Sequence, residues 1–107
     1  MSKPKVLVVD DEKELLRSIE RILRREDLEV STATCAEEAL LGMQQSLPPD
    51  LIISDLMMPG IGGLEMLNLV SRKHPQVPVI LITAHATLET AIEAIRAGAD
   101  DCLPQPF

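Results

Sequence analysis

The chain has 107 residues, of which 46% are hydrophobic, and its formal net charge at pH 7 is -7. This length suits one domain with a buried core, and the acidic charge excludes direct binding to nucleic acid or to an anionic membrane surface. Phe107 is the one residue among Phe, Tyr and Trp, which argues against recognition of bases or flavins by stacking. Two isolated cysteines, no signal-peptide pattern and no membrane-length apolar run predict a cytoplasmic protein.

Strand-like and helix-like segments alternate in the first third of the chain. Lys5 to Val9 is an apolar run without alternation, which predicts a fully buried strand. From about Glu12 to Glu26 apolar residues recur at helical spacing after an acidic first turn, which predicts an amphipathic helix. Leu28 to Ala33 alternates apolar and polar residues and predicts a short strand nearer the sheet edge.

The alternation continues through the middle of the chain. Thr34 to Glu37 has capping-box spacing and predicts a helix that Pro48-Pro49 ends. Leu51 to Asp55 is a second buried run and predicts another strand, and the Gly-rich loop after it leads into a helix that ends before Pro75.

The last third predicts two more strands and one more helix. Val77 to Ile82 predicts a strand, and Thr87 is placed to cap a helix whose C-terminal left-handed residue is Gly98. The remaining segment, 99–107, has room for a short fifth strand and a turn. This order predicts an α/β fold with a doubly wound five-stranded parallel sheet, in which four helices leave part of one face uncovered.

Polar residues follow three of the predicted strands at the point where each ends. Asp10 and Asp11 follow the first strand, Asp55 ends the third and Thr83 follows the fourth. Ligands of open parallel sheets bind beyond these carboxyl ends, although capping of the first helix explains Asp10 and Asp11 equally well. Three carboxylates repel one another and favour a hard cation such as Mg²⁺. Asp55 would then be a nucleophile for phosphoryl transfer.

These residues belong to a wider pattern that closely resembles the receiver domain of bacterial response regulators. The segments that carry the resemblance are Val8-Val9-Asp10-Asp11-Glu12, Asp55-Leu56-Met57-Met58-Pro59-Gly60, Gly63, Ile82-Thr83-Ala84 and Leu103-Pro104-Gln105-Pro106-Phe107. The resemblance covers the whole chain, so residues 1–107 are interpreted as one receiver domain. It implies the flavodoxin-like strand order 2-1-3-4-5. The Thr83 to Ala86 segment and the final Pro-x-Pro-Phe are most similar to receivers of sigma-54 activators.

The resemblance also implies a role for each site residue. Asp55 would accept a phosphoryl group from a phosphohistidine of a sensor histidine kinase, and the domain would not be an enzyme in its own right. Asp10, Asp11, Asp55 and the backbone carbonyl of Met57 would hold Mg²⁺. The Thr83 hydroxyl would move toward the phosphate and switch an output domain or a partner protein. Met57 and His85 would tune how fast the phosphate is lost.

The chain departs from the family pattern at two residues near its end. Gln105 replaces the family lysine and brings no positive charge to phosphate, which predicts weakened phosphorylation. Cys102 replaces an aromatic residue and cannot fill the same volume, which predicts altered transmission to the output. The alternative function is therefore a degenerate receiver that binds a partner protein without being phosphorylated.

The end of the chain carries two further expectations. Family members continue into a fifth helix, and the sequence stops at Phe107, so the domain is expected to be truncated before that helix. The uncovered apolar face then predicts self-association or poor solubility. The resemblance also implies a cis peptide bond between Gln105 and Pro106.

Overall fold

The computed structural model describes residues 3–45, 48–55, 62–83 and 99–104. The strands are β1 (Lys5–Val9), β2 (Glu29–Ala33), β3 (Leu51–Asp55), β4 (Val79–Thr83) and β5 (Asp101–Pro104), and the helices are α1 (Lys13–Arg25), α2 (Ala36–Gln45) and α3 (Gly63–Lys73). The helix predicted after Thr87 lies outside the described residues, as does the Gln105-Pro106 bond. None of the helices described is long and apolar enough to cross a membrane.

Two local predictions differ from the structure. The predicted capping box at Thr34 is wrong, because α2 begins at Ala36, one residue later than a cap at Thr34 requires. The Thr34 hydroxyl donates to the Glu38 carboxylate at 3.2 Å. Strand β4 begins two residues later than predicted, since the Val77 amide donates to the His74 carbonyl in a turn at 3.0 Å. Proline at position 78 has no N–H to donate, so the ladder begins after it.

The five strands form one parallel sheet in the order β2-β1-β3-β4-β5, which confirms the predicted doubly wound, flavodoxin-like fold. From β1 the chain moves outward to β2 and then returns past β1 to β3. The strand order therefore reverses beside β1, and the crevice beyond the carboxyl ends of β1 and β3 is where such sheets bind ligands.

The sheet separates two apolar cores. Helix α1 packs over one face with a cluster formed by Val6, Val8, Leu16, Ile19, Val30 and Ile82. Helices α2 and α3 cover the other face, where the cluster includes Leu7, Val9, Ala39, Met43, Ile52, Leu67 and Leu81. Successive residues of β1 enter opposite cores, which explains why this strand is apolar without alternation.

Two aspartates tie neighbouring strands together at the amino edge, where the strands begin. The Lys5 amide donates to Asp50 Oδ2 at 2.7 Å, and the Asp50 amide donates to the Lys5 carbonyl at 2.8 Å. Val79 and Asp100 repeat the arrangement, with both distances at 2.9 Å. Each aspartate therefore satisfies the first amide of a neighbouring strand.

Candidate functional site

The candidate site lies at the carboxyl edge of the sheet, where the strands end. In the ladder between β1 and β3, Val9 is paired with Ser54. Asp10 and Asp55 are the next residues of these adjacent strands. The Asp10 amide donates to the Ala33 carbonyl at 3.1 Å, which extends the contact of β1 with β2 by one residue. Backbone pairing on both sides therefore holds the start of the turn after β1.

Three carboxylates meet at this edge. Asp10, Asp11 and Asp55 each offer an oxygen, and these oxygens all lie within 4.8 Å of one another. Asp10 is fully buried, Asp55 is half-buried and Asp11 is exposed. Two unit charges about 4 Å apart repel by roughly 4 kcal/mol at an effective dielectric of 20. The cluster therefore favours a bound cation, and oxygen-only ligands suit a hard one such as Mg²⁺.

Asp10 is the acid of the cluster whose ionised form is least favourable. Its Oδ1 accepts the Glu12 amide at 2.8 Å, but its Oδ2 is buried without a hydrogen-bond partner. Burial raises the pKa of Asp10 from 3.8 to about 6, and the neighbouring carboxylates of Asp55, Asp11 and Glu12 add to the increase, whereas the bond from the Glu12 amide opposes it. A buried unpartnered oxygen is costly in an isolated protein. A cation bound at Oδ2 would remove that cost, so the residues fit the metal.

Helix capping does not explain this arrangement. Helix α1 has Glu12 at its N-cap without a side-chain cap hydrogen bond. The bond from the Glu12 amide to Asp10 closes an Asx turn, a feature that the Asp-x-Glu spacing allowed but that was not predicted. It leaves the second oxygen of Asp10 available for another partner.

Asp55 is the last residue of β3, and hydrogen bonds hold its backbone in place. The Ser54 hydroxyl is buried and donates to the Asp55 carbonyl at 3.1 Å. Asp55 is also paired through the backbone with Ile82 of β4. The half-buried side chain of Asp55 thus starts from a rigid strand end and still reaches solvent.

The remaining predicted site residues are only partly described. Thr83 ends β4, one residue beyond the partner of Asp55, and its backbone is paired with Pro104 of β5. This places the Thr83 backbone at the same edge as the acids, although its side chain is not described. Met57, His85 and Gln105 lie outside the described residues. Cys102 is paired with Leu81 inside β5, and the packing predicted for its side chain stays a prediction.

Comparison with known proteins agrees with this geometry. The family model of the response regulator receiver domain matches residues 6–107. The DNA-binding transcriptional regulator NtrC of Salmonella typhimurium is 39% identical over 107 residues, which are 100% of this chain and 23% of that protein. The response regulator protein PilR of Pseudomonas aeruginosa is 40% identical over 108 residues, covering 99% of this chain and 24% of that protein. The chain thus spans about a quarter of these curated relatives.

A solved structure extends the similarity to three dimensions. The response regulator protein TrrA of Thermotoga maritima, solved in complex with Mg²⁺-BeF, superposes with a TM-score of 0.86 at 34% identity. The match covers 97% of this chain and 88% of that one. Sequence motifs, sheet order and the cluster of acids lead to the same assignment. The chain belongs to the response regulator receiver domain family.

Proposed function

We propose that this domain is a phosphoacceptor in a two-component pathway and that Asp55 is the residue modified. The observation that carries the proposal is the cluster of three carboxylate oxygens within 4.8 Å at the crevice where the strand order reverses. The orphaned Oδ2 of Asp10 supports it, because the site lacks a positive partner among the described residues for its most buried oxygen. Both features suit a site that receives a metal ion and a phosphoryl group.

Asp10, Asp11 and Asp55 would hold Mg²⁺, together with the backbone carbonyl of Met57 that the family resemblance implies. When bound, Mg²⁺ supplies positive charge that offsets the charge of phosphoryl oxygens. The Thermotoga relative with Mg²⁺-BeF supports this choice of metal. The buried Asp10 would be the fixed ligand, since its Oδ1 is already held by the Glu12 amide. The exposed Asp11 can adjust its position.

The covalent step requires one oxygen of Asp55 to attack phosphorus in line. A new O–P bond forms, the P–N bond to the histidine of the donor breaks, and the imidazole nitrogen keeps the electron pair and takes a proton. The paired backbone of β3 positions the Asp55 carboxylate, and its partial exposure leaves a path for a donor protein. Thr83 would donate its hydroxyl hydrogen to an oxygen of the new phosphoryl group.

The relatives support a proposal for the output and the partners. Similarity to NtrC and PilR supports a role in transcription regulation and the predicted sigma-54 subfamily. We propose that a sensor histidine kinase is the donor and that an output domain or partner protein receives the signal. The domain would act in the cytoplasm, without catalysing turnover and without contacting nucleic acid itself. Self-association is a separate expectation, which light scattering at high concentration tests.

The competing function is a degenerate receiver that binds a partner without phosphorylation. Gln105 and Cys102 favour it, because both replace residues that the family uses after phosphorylation. With Asp10, Asp11 and Asp55 ionised, a lysine at position 105 would bring the local charge from -3 to -2, whereas glutamine leaves it at -3. We therefore expect Gln105→Lys to increase phosphate uptake, and equal uptake by both proteins would contradict this role of residue 105.

Phosphorylation tests the proposal directly. The purified chain is incubated with Mg²⁺ and acetyl phosphate, and intact-protein mass spectrometry counts the phosphoryl groups added. We expect one group on the native chain and none on Asp55→Asn, which keeps the shape of the side chain. Beryllofluoride binding is a second test, monitored through amide NMR shifts at the carboxyl edge. It does not require the phosphorylated protein to be long-lived. A native chain that takes up neither reagent would leave the partner-binding function as the better one.

A further inference from the structure

A cavity of about 330 Å³ lies on the face of the sheet opposite α1, between helix α2 and strands β1 and β2. Its volume falls at the lower end of the range of about 300–1,000 Å³ that small-molecule sites occupy. None of the three clustered acids lines it. The cavity extends from Ala33 near the carboxyl edge to Lys5 and Pro49 at the amino edge, and it is partly open to solvent.

The cavity exists because α2 presents small residues to this part of the sheet. Ala39 and Gly42 line it on the helix side, and a Cβ atom added to Gly42 would meet nothing within 4 Å. Glycine inside a helix is less favourable than alanine. Alanine would fit here without a clash, so packing does not require glycine at this position. Glycine instead leaves the space beside Met43 open.

The lining combines an apolar floor with a charged rim. Leu7, Ala39 and Met43 belong to the buried core and form the floor. At the rim, the exposed Glu38 carboxylate is anchored by the Thr34 hydroxyl at 3.2 Å. An apolar floor with a few polar groups is the usual composition of a ligand pocket.

The charge of the rim selects the kind of ligand. Glu38 lies beside Thr34 at the carboxyl end of the cavity. Glu29 lies at the amino end, where its ladder partner is Lys5 and the two opposite charges offset each other. Ser31 also lines the cavity. The rim is therefore acidic overall, as is the chain at -7. An acidic rim attracts cations and disfavours anions.

We propose that this cavity binds a small apolar molecule that carries a protonated amine. The apolar body contacts Leu7 and Met43 in the space that Gly42 leaves open, and the ammonium group faces Glu38 at the carboxyl end of the cavity. This site is separate from the proposed phosphorylation site. Its occupant is a metabolite-sized amine rather than a protein, because the cavity is too small for a structured segment.

Benzylamine and benzoate, which share a ring and differ in charge, test the proposal. Each is titrated into the chain, and amide NMR shifts are followed along β2 and α2. We expect benzylamine to give saturable shifts with a dissociation constant on the order of 1 mM, and benzoate to give none. Equal shifts with both probes, or no saturable shift with benzylamine, would overturn the proposal.

Variants then locate the binding site. Gly42→Leu fills the cavity and should abolish the benzylamine shifts, and Gly42→Ala should weaken them. Leu41→Ala is the matched control, because Leu41 is the neighbouring residue on α2 and is 55% exposed. Thermal unfolding checks that each variant is folded. Undiminished binding by a folded Gly42→Leu protein would contradict the assigned cavity.

Charge variants keep the test decisive if leucine at position 42 prevents folding. Glu38→Gln retains an oxygen for the Thr34 hydroxyl but removes the charge. We expect it to weaken benzylamine binding about two- to fivefold, the effect of an exposed charge pair. Glu29→Gln, at the other end of the cavity beside Lys5, should have a smaller effect. If the folded Glu38→Gln protein binds benzylamine as tightly as the native chain, the acidic rim does not select the ligand and the proposal fails.

Discussion

The two edges of the sheet use the same residue type for opposite purposes. At the amino edge, Asp50 and Asp100 each exchange two hydrogen bonds with a neighbouring strand. At the carboxyl edge, Asp10 is fully buried, and one of its oxygens has no hydrogen-bond partner. A carboxylate matched by backbone amides stabilises the fold, whereas a buried carboxylate oxygen without a partner, as in Asp10, destabilises it. The difference separates the aspartates that hold the sheet together from those for which we propose metal binding and phosphorylation.

The largest effect is expected for Asp10→Asn. This variant removes one negative charge from the cluster of Asp10, Asp11 and Asp55 and should lower Mg²⁺ affinity roughly 100-fold, because the ion loses a close charge of opposite sign. Isothermal titration with Mg²⁺ measures it. Asp100→Asn is the matched control at the amino edge and should leave Mg²⁺ affinity unchanged. An Asp10→Asn protein that binds Mg²⁺ like the native chain would exclude Asp10 as a ligand.

The metal-free domain should show the cost of Asp10 as a pH dependence. The pKa of Asp10 is raised from 3.8 to about 6 in the folded state, so the fold favours the protonated form. The stabilisation that the protonated Asp10 carboxyl group contributes is therefore fully present below pH 3.8. It is lost as the pH rises through 6. Relative to Asp10→Asn, the native chain should lose about 1–3 kcal/mol over this range.

Urea unfolding of both proteins without metal, near pH 4 and at pH 7, measures this difference and cancels the titration of the other acids. Saturating Mg²⁺ at pH 7 should restore the native chain but not the variant. A stability gap between the two proteins that does not change with pH would contradict the raised pKa.

Substitutions of the aspartates at the amino edge should lower the stability of the fold and leave phosphorylation intact. Asp100→Ala leaves the Val79 amide without its carboxylate partner and should cost about 1–2 kcal/mol of unfolding free energy. Asp50→Ala should cost less, because the bond to the Lys5 amide is exposed and water can replace it. Urea unfolding ranks the two variants, and both should still be phosphorylated. Loss of phosphate uptake in a folded Asp100→Ala protein would show that the two edges are not independent.

The smallest effect is expected at Asp27, in the turn between α1 and β2. Its φ angle of 61° lies in the left-handed region that favours glycine. Asp27→Gly should therefore raise the unfolding free energy by about 0.5 kcal/mol, with Mg²⁺ binding unchanged. Asp27 also forms an exposed ion pair with Lys3 at 3.1 Å. The Lys3→Ala variant measures how much this ion pair contributes to the unfolding free energy. Destabilisation by Asp27→Gly beyond the effect of Lys3→Ala would contradict a strained turn.

The aspartates of the two edges also differ in how well the sequence predicted their roles. Asp10, Asp11 and Asp55 were identified because each follows or ends an apolar run, a pattern visible in the chain itself. Asp50 and Asp100 were not identified, although Asp50 also adjoins an apolar run and Asp100 lies in a Gly-Ala-Asp-Asp segment. Their role depends on which strand lies alongside, and no local pattern encodes that. The Thr34 cap was misassigned because α2 begins at Ala36, one residue later than a cap at Thr34 requires.

By itself the sequence determined the alternation of strands and helices, the acids at the strand ends and the family motifs, because hydrophobic periodicity and short motifs are local. Only the tertiary structure decided that Asp10 and Asp55, far apart in the chain, lie on adjacent strands with their oxygens within 4.8 Å of each other. It also decided that Asp10 is buried with an orphaned oxygen and a raised pKa, and that Gly42 borders a cavity. Burial, electrostatic coupling and empty space are properties of the packed chain, since each depends on residues that only folding brings together.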